Sequence, residues 1–229
     1  MASIDYPLIY REHAADYDAL VAAEDCDGQL AAAIRPFLGL RGTLVDVGTG
    51  TGRISRLFAS RAARIIGVEP APAMIEIAKS HRAQWPHVDW EIVAGDARRL
   101  PVPDATADLV VAGWVFGHFR SWMPDTWRAE VDTAIGEMRR VAKPGAKIVV
   151  VETLGTNHET PRSHPGLEEY FAHLEQNHGL TRHLVRTDYR FADVEGAARL
   201  LGQFFGEAMA EAVKNTNEAN VPECTGIWY

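Results

Sequence analysis

Apolar runs of strand length alternate with helix-like stretches between residues 40 and 152. The run at 107–113 is continuous in apolar residues rather than alternating, which is typical of a strand buried on both faces. Similar runs lie at 44–47, 65–68 and 146–152, whereas residues 90–94 alternate polar and apolar side chains. Strands that alternate with helices predict an α/β fold, with a doubly wound, mostly parallel sheet and helices on both faces.

The regions on either side of this core have helical patterns. In the first forty residues Tyr6, Tyr10, His13 and Tyr17 recur every three to four positions, which places them on one helix face. That face either packs against the core or covers a bound ligand.

After residue 152 we predict helices at about 166–178 and 194–213, a strand at 183–191 between them and a last strand at 223–229. The second helix carries an apolar stripe, which fits a core role better than a ligand site. The stripe comprises Leu200, Leu201, Phe204, Phe205, Met209 and Val213.

Three alternating glycines, Gly48, Gly50 and Gly52, follow the first predicted strand. Glycines at this point let the backbone turn sharply and let a ligand approach without a Cβ in the way. Ligands of open α/β sheets bind at the carboxyl ends of the strands, so the turn is a candidate site for a nucleotide-like cofactor. The spacing departs from the dinucleotide pattern G-x-G-x-x-G, because residue 53 is Arg. A turn that binds no ligand is the plainer alternative.

Acidic residues follow the next two predicted strands. Glu69, which precedes Pro70, lies about twenty positions after the glycines, where a carboxylate can accept hydrogen bonds from both hydroxyls of a ribose. The same carboxylate would repel a 2′-phosphate, which disfavours NADP. Asp96 and Ala97 follow the strand at 90–94, and Asp at such a position also favours turns and caps.

The segment Val45–Gly52, with Asp46 two residues before the first glycine, resembles the first motif of class I S-adenosylmethionine-dependent methyltransferases. Glu69, the turn at 95–97 and Lys143–Gly145 before the next strand resemble further elements of that family, in the family's order. The resemblance covers about residues 40–152. It implies a Rossmann-like methyltransferase fold with a seven-stranded sheet. Its last two strands would be antiparallel, with the seventh inserted beside the fifth and a helix in their connection.

The resemblance also implies S-adenosylmethionine as the cofactor and S-adenosylhomocysteine as the product. The backbone at 48–50 would face the amino-acid part of the donor, Glu69 would hold the ribose and Asp96 would recognise adenine. Met74 and Trp114 would form apolar walls nearby. The predicted cofactor contacts are Asp46, Gly48, Thr49, Gly50, Glu69, Pro70, Met74, Asp96, Ala97 and Trp114.

We predict one domain over residues 1–229, with a helical lid at 1–40, a cofactor-binding core at 41–152, and a substrate loop, helices and edge strands at 153–229. Arg11–Asp18 resembles the pre-core segment of small-molecule methyltransferases, where an aromatic residue closes over the donor. The irregular segment Gly155–Gly166 follows a predicted strand, so we expect it at the same edge of the sheet, where loops shape substrate pockets.

His118 follows the fourth predicted strand and is the candidate general base. Methyl transfer from a sulfonium requires alignment of the nucleophile, the methyl group and sulfur, and a base only where the acceptor carries a proton. A hydrogen-bonded structural histidine is the competing interpretation, since the chain has nine histidines.

The composition favours a small acceptor over nucleic acid. Acidic residues outnumber basic ones by 31 to 23, which gives a formal charge of −8, whereas affinity for nucleic acids rests on Lys and Arg. No apolar run approaches the roughly twenty residues that span a bilayer, and Met1–Tyr10 lacks the layout of a secretory signal. Cys26 and Cys224 have no metal-ligand spacing, so we predict no metal site and a cytoplasmic location.

The small-molecule acceptor itself is not identified, and O-, N- and C-methylation all stay open. Trp114, Phe116, Phe119 and Trp122 would suit an apolar or ring-bearing acceptor, although aromatic residues also fill cores. The oligomeric state stays open, a homodimer included. An NAD-dependent oxidoreductase and a non-catalytic cofactor-binding module are the alternative functions, since fold alone does not fix chemistry.

Overall fold

The computed structural model describes residues 6–162 and 165–229, with side chains from residue 8 onward. The predictions for residues 1–5 and for His164 therefore lie outside the described residues, as does the side chain of Tyr6. None of the helices in the described part of the chain combines the length and the apolar character that crossing a bilayer requires.

A seven-stranded sheet forms the centre of the molecule, in the order β3-β2-β1-β4-β5-β9-β6. The first five strands of the chain pair in parallel, and β9 lies antiparallel between β5 and β6. The predicted doubly wound sheet, with its last strand inserted beside the fifth, is confirmed. The strands are β1 Thr43–Val47, β2 Arg64–Glu69, β3 Asp89–Ala94, β4 Ala107–Gly113, β5 Ala142–Thr156, β6 Arg182–Arg186 and β9 Glu223–Trp228, and β7 Tyr189–Arg190 pairs with β8 Asn220–Val221 in a separate two-stranded sheet.

Helices cover both faces of the large sheet, because consecutive strand residues point to opposite faces and both faces are apolar. Val110 of β4 belongs to a buried cluster with residues of α7 and α8, whereas the adjacent Leu109 belongs to a cluster with residues of α3 and α4. The helices are α1 Tyr6–Glu12, α2 Ala14–Ala23, α3 Gln29–Ile34, α4 Arg53–Phe58, α5 Pro72–Arg82, α6 Phe119–Trp122, α7 Trp127–Val141, α8 Pro165–Gln176, α9 Val194–Phe205 and α10 Glu207–Thr216.

The C-terminal region differs from the prediction in two places. The helix predicted at 194–213 ends at Phe205, since Gly206 has a positive φ of 93°, and a separate helix, α10, starts at Glu207. The strand predicted at 183–191 is interrupted after Arg186. Its last part, Tyr189–Arg190, pairs with β8 instead of β9.

The N-terminal helices pack against this C-terminal region. Leu20 of α2 and Leu201 of α9 lie in a third buried cluster, which also contains Tyr189. The helix breaks at His13, which is exposed and precedes α2, so His13 does not share a helix face with Tyr17 as the spacing predicts. The rings of Tyr10 and Tyr17 do meet, edge to face, with their centroids 5.5 Å apart.

Leu109 offers a test of the sheet core, since it is fully buried and its strand pairs with both β1 and β5. We expect Leu109→Ala to lower the free energy of unfolding by about 2–5 kcal/mol in urea denaturation, because it leaves a cavity. Leu184→Ala on β6 is the control; that side chain is 57% exposed, and its loss should cost less than about 0.5 kcal/mol. Equal losses in the two variants would contradict the buried position of β4.

Candidate functional site

The glycine turn lies at the carboxyl end of β1, where the backbone is left-handed at three points. The φ angles of Gly48, Gly50 and Gly52 are 65°, 55° and 91°, values that side chains with a Cβ rarely adopt. A Cβ on Gly48 would lie 2.5 Å from Cγ2 of Val115. The turn therefore requires glycine for its conformation and, at Gly48, also for space.

Asp46 holds this turn in place from inside the protein. Its Oδ2 accepts hydrogen bonds from Oγ of Ser55 at 2.6 Å, from the Ser55 amide at 3.0 Å and from Oγ1 of Thr49 at 2.6 Å. The carboxylate is buried, and burial raises the pKa of Asp46 to about 6. Sequence analysis missed Ser55, whose position two residues into α4 carries no motif. The geometry assigns Asp46 to the turn, and its predicted contact with a cofactor stays a prediction.

Glu69 lies beside the turn, at the end of the neighbouring strand β2. Its Oε2 accepts from the Gly50 amide at 3.0 Å, and its Oε1 accepts from the Ala71 amide at 2.9 Å. The side chain is buried, and burial raises the pKa of Glu69. Pro70 is exposed. Each carboxylate oxygen can accept a further hydrogen bond, so Glu69 retains acceptor capacity for a ribose diol.

Asp96 follows β3 and is ion-paired with a residue that sequence analysis did not select. Nε and Nη2 of Arg98 donate to its two oxygens, at 2.8 and 2.6 Å. Arg98 also reaches Glu130 of α7, at 2.9 Å. These bonds lower the pKa of Asp96, and they fix its carboxylate in one orientation. Ala97 is half-buried, and Met74 of α5 is buried.

Trp114 follows β4 in a conformation unusual for its size. Its φ is 56°, and its amide donates to the Val151 carbonyl at 2.7 Å. A bulky residue at positive φ is a strained position, and such positions cluster at functional sites. The guanidinium of Arg53 lies 3.4 Å from the centroid of the Trp114 ring and pairs with Glu24 at 2.7 Å. The Arg53–Glu24 pair links the start of α4 to the end of α2.

His118 lies in the turn after β4 and contacts the N-terminal helix. Its Nε2 is 2.9 Å from the hydroxyl of Tyr10, and its ring stacks on Trp122 with the centroids 4.8 Å apart. Burial lowers the pKa of His118 to about 4. The imidazole is therefore neutral near pH 7 and able to accept a proton, but it is a weaker base than an exposed histidine. Its role as the general base stays a prediction.

Glu152 is a further buried acid at this edge of the sheet, and sequence analysis missed it as well. Its Oε1 accepts from the Gly117 amide at 3.0 Å and from the hydroxyl of Tyr170 at 2.9 Å. Burial raises the pKa of Glu152 to about 7. The carboxylate thus holds the turn that carries His118. An acid inside an apolar strand is a signal that the sequence does contain. Its partner Tyr170 lies on a separate helix, so the sequence alone does not show that the two residues meet.

The buried carboxylates of the described chain lie around this edge of the sheet. Among the described residues, only Glu24 of this group forms an ion pair, with Arg53. Burial raises the pKa of each of the other four acids, to about 8 at Glu223, so the group is only partly ionised near pH 7. The group comprises Glu24, Asp46, Glu69, Glu152 and Glu223.

Comparisons with known proteins agree with this geometry. A methyltransferase domain family matches residues 45–150. A demethylmenaquinone methyltransferase of Thermus thermophilus is 32% identical over 111 residues, which cover 48% of this chain and 46% of that protein. The chain spans between about a quarter and a half of the length of the curated relatives it matches.

Two solved structures have the same fold at low sequence identity. A SAM-dependent methyltransferase from Aquifex aeolicus aligns with a TM-score of 0.51 and 17% identity, over 86% of each chain. The [4+2]-cyclase SpnF aligns with a TM-score of 0.55 and 20% identity, over 87% of this chain and 78% of that chain. The name of the second protein, a cyclase, indicates that proteins with this fold also catalyse reactions other than methyl transfer.

The raised pKa of Glu152 predicts a pH-dependent stability. In the folded protein Glu152 keeps its proton up to about pH 7, whereas in the unfolded chain it loses the proton near its ordinary pKa of 4.5. The contribution of Glu152 to stability is therefore fully present below about pH 4.5 and is lost as the pH rises to about 7, by up to about 3 kcal/mol. Glu152→Gln removes this titration. The free energy of unfolding of the variant, measured relative to that of the wild type, should therefore increase as the pH rises from about 4.5 to 7.

Urea denaturation at pH 5, 6, 7 and 8 measures this difference. Glu76→Gln on the exposed side of α5 controls for the loss of one charge. A difference between Glu152→Gln and wild type that does not change with pH would contradict the buried, protonated state of Glu152.

Proposed function

Because the core of the chain belongs to the class I S-adenosylmethionine-dependent methyltransferases, we propose that the protein transfers a methyl group from S-adenosylmethionine to a small-molecule acceptor. The observation that carries the proposal is the buried carboxylate of Glu69 at the end of β2, 3.0 Å from the Gly50 amide of the glycine turn. This pairing puts a buried acid, which we propose binds the ribose diol, beside the backbone of Gly48 and Gly50, which have no Cβ. When bound, the donor supplies a methyl group activated by a sulfonium.

The residues of the chain have distinct parts in this proposal. The backbone at 48–50 faces the amino-acid part of the donor, and Asp46 keeps that backbone rigid. Glu69 accepts from the ribose hydroxyls, and Asp96 with the Ala97 amide recognises adenine. The Trp114 ring forms a wall of the crevice. Pro70 and Met74 complete the proposed contacts at the start of α5.

Electrostatics and burial support a cationic donor. Asp46 and Glu69 hold the turn and form no ion pair among the described residues, so their ionised forms stabilise a positive charge such as that of a sulfonium. Tyr10 contacts His118, and the Tyr17 ring lies 3.6 Å from where a Gly50 Cβ would be. We infer that α1 and α2 act as the lid of the site. A lid of this kind excludes water and strengthens the electrostatic contacts within.

The acceptor is proposed as a small molecule only. Phe116 and Phe119 belong to the buried core, so they do not serve as an open aromatic wall, whereas Trp122 is 42% exposed. The relative from Thermus thermophilus is named for demethylmenaquinone, which is one acceptor to test. The net charge of −8 supports the exclusion of nucleic acids, and a cytoplasmic location is part of the proposal.

The alternative functions differ in what supports them. The comparisons favour methyl transfer over an NAD-dependent oxidoreductase. A module that binds the donor without turnover is tested by activity, because it would bind S-adenosylmethionine and methylate no acceptor. A screen of metabolite pools with labelled donor separates this outcome from methyl transfer.

Glu69→Gln tests the ribose assignment. Loss of the charge should weaken binding of S-adenosylhomocysteine by roughly 10- to 150-fold, since a hydrogen bond to a charged group contributes about 1.5–3 kcal/mol. Isothermal titration calorimetry measures the affinity, and the melting temperature checks that the turn is intact. Glu91→Gln is the matched control, one strand away on β3 and exposed. Unchanged affinity in Glu69→Gln would remove Glu69 from the site.

His118→Ala tests the proposed general base. With an acceptor found in the labelled-donor screen, kcat should fall by about a hundredfold or more, while the affinity for S-adenosylhomocysteine is retained. His87→Ala is the control, because His87 is exposed and lies outside the site; it should leave kcat unchanged. Full turnover in His118→Ala at saturating acceptor would leave His118 with a structural role.

A further inference from the structure

Three side chains with no part in the proposed reaction meet where α7 packs against α8. Asp132 lies on α7, His173 lies on α8, and His178 lies in the turn after α8. The two imidazole side chains are each 8% exposed, whereas the Asp132 side chain is 52% exposed. The two imidazoles are thus shielded from solvent, and the carboxylate is the solvent-exposed member of the cluster.

The potential ligand atoms of these residues converge on one point. Nε2 of His173 is 2.7 Å from Oδ1 of Asp132, and Nε2 of His178 is 2.8 Å from the same oxygen. One ligand atom from each of the three residues lies within 4.8 Å of the others. Two neutral imidazoles and a carboxylate are the ligand types that zinc takes in proteins.

A tetrahedral ion fits among the three side chains once they rearrange. Bonds of about 2.0–2.1 Å place tetrahedral ligand atoms about 3.3 Å apart. The exposed Asp132 oxygen therefore has to withdraw by roughly half an ångström. The two imidazole ligand atoms, which lie within 4.8 Å of each other, have to come to the same spacing. Three protein ligands leave the fourth position for water, on the exposed side of the cluster.

Neighbouring residues already orient the two imidazoles. The Trp127 ring packs edge to face against His173 at 5.5 Å, and the carbonyl of His178 accepts from Arg139 at 2.8 Å. Preorganised ligands lose less conformational freedom when they bind an ion. Nη1 of Arg139 also lies 3.5 Å from Nδ1 of His178. Nδ1 has to carry a proton when Nε2 binds a metal, so this guanidinium opposes binding and weakens the affinity.

The geometry points to a divalent transition-metal site formed by Asp132, His173 and His178, with zinc as the ion that fits best. Sequence analysis predicts no metal site because it considers spacing along the chain, and these residues are brought together only by helix packing. A bound ion ties α7 to the end of α8. Helix α8 also carries Tyr170, which donates to Glu152. A bound ion would therefore stiffen the helix that holds Glu152 and the turn at Gly117. The inference is independent of methyl transfer.

Titration of the tag-free protein with Zn²⁺ and Co²⁺ tests the site. We expect one saturable Zn²⁺ site by calorimetry, visible absorption of tetrahedral Co²⁺ that Zn²⁺ displaces, and a melting temperature that rises with Zn²⁺ and falls back with a chelator. Asp132→Asn and His178→Gln should each weaken Zn²⁺ binding by tenfold or more. Asp132 is half-exposed, so Asp132→Asn is expected to fold even if a histidine variant does not.

His87→Gln is the matched control, because His87 is exposed and lies outside the cluster. It should bind Zn²⁺ as the wild type does. The proposal is overturned if the folded wild type shows no saturable binding up to millimolar Zn²⁺, or if Asp132→Asn and His178→Gln both bind as tightly as the wild type.

Discussion

The carboxylate of Glu69 connects the two features on which the site depends, the glycine turn after β1 and the end of β2. It accepts from the amides of Gly50 and Ala71, so it fixes the turn relative to the start of α5. From inside, Asp46 closes the same turn through Thr49 and Ser55. Two buried acids thus hold the turn in one conformation, although its glycines would allow many. The turn lies at the strand ends where doubly wound sheets bind ligands.

The acids that hold the turn also bear on the ligand that we propose for it. Buried carboxylates are costly unless they are hydrogen-bonded or paired, and here hydrogen bonds to backbone amides and hydroxyls stabilise most of them. Arg53 is shared between Glu24 and the Trp114 ring. The N-terminal helices lie over this edge through Tyr10 and Tyr17. Acidity and enclosure together suit the cationic, nucleotide-like donor that we propose.

Local motifs were enough to predict the sheet and a glycine turn with an acid at the end of the next strand, because each depends on neighbours in the chain. The continuous apolar run of β4, the alternating glycines and Glu69 at a strand end are of this kind. The missed features depend on contacts that sequence motifs do not show. They are the ion pairs Arg98–Asp96 and Arg53–Glu24 and the hydrogen bond from Tyr170 to Glu152. The break at Gly206 was missed because the apolar stripe continues across it in sequence, although the backbone there takes a positive φ of 93°.

A crystal structure of the protein soaked with S-adenosylhomocysteine is the most direct measurement. The account predicts the ribose diol on the Glu69 carboxylate, the amino-acid part along the backbone at 48–50 and adenine beside Asp96. Density for the compound elsewhere, or a turn that stays empty at saturating concentration, would contradict it.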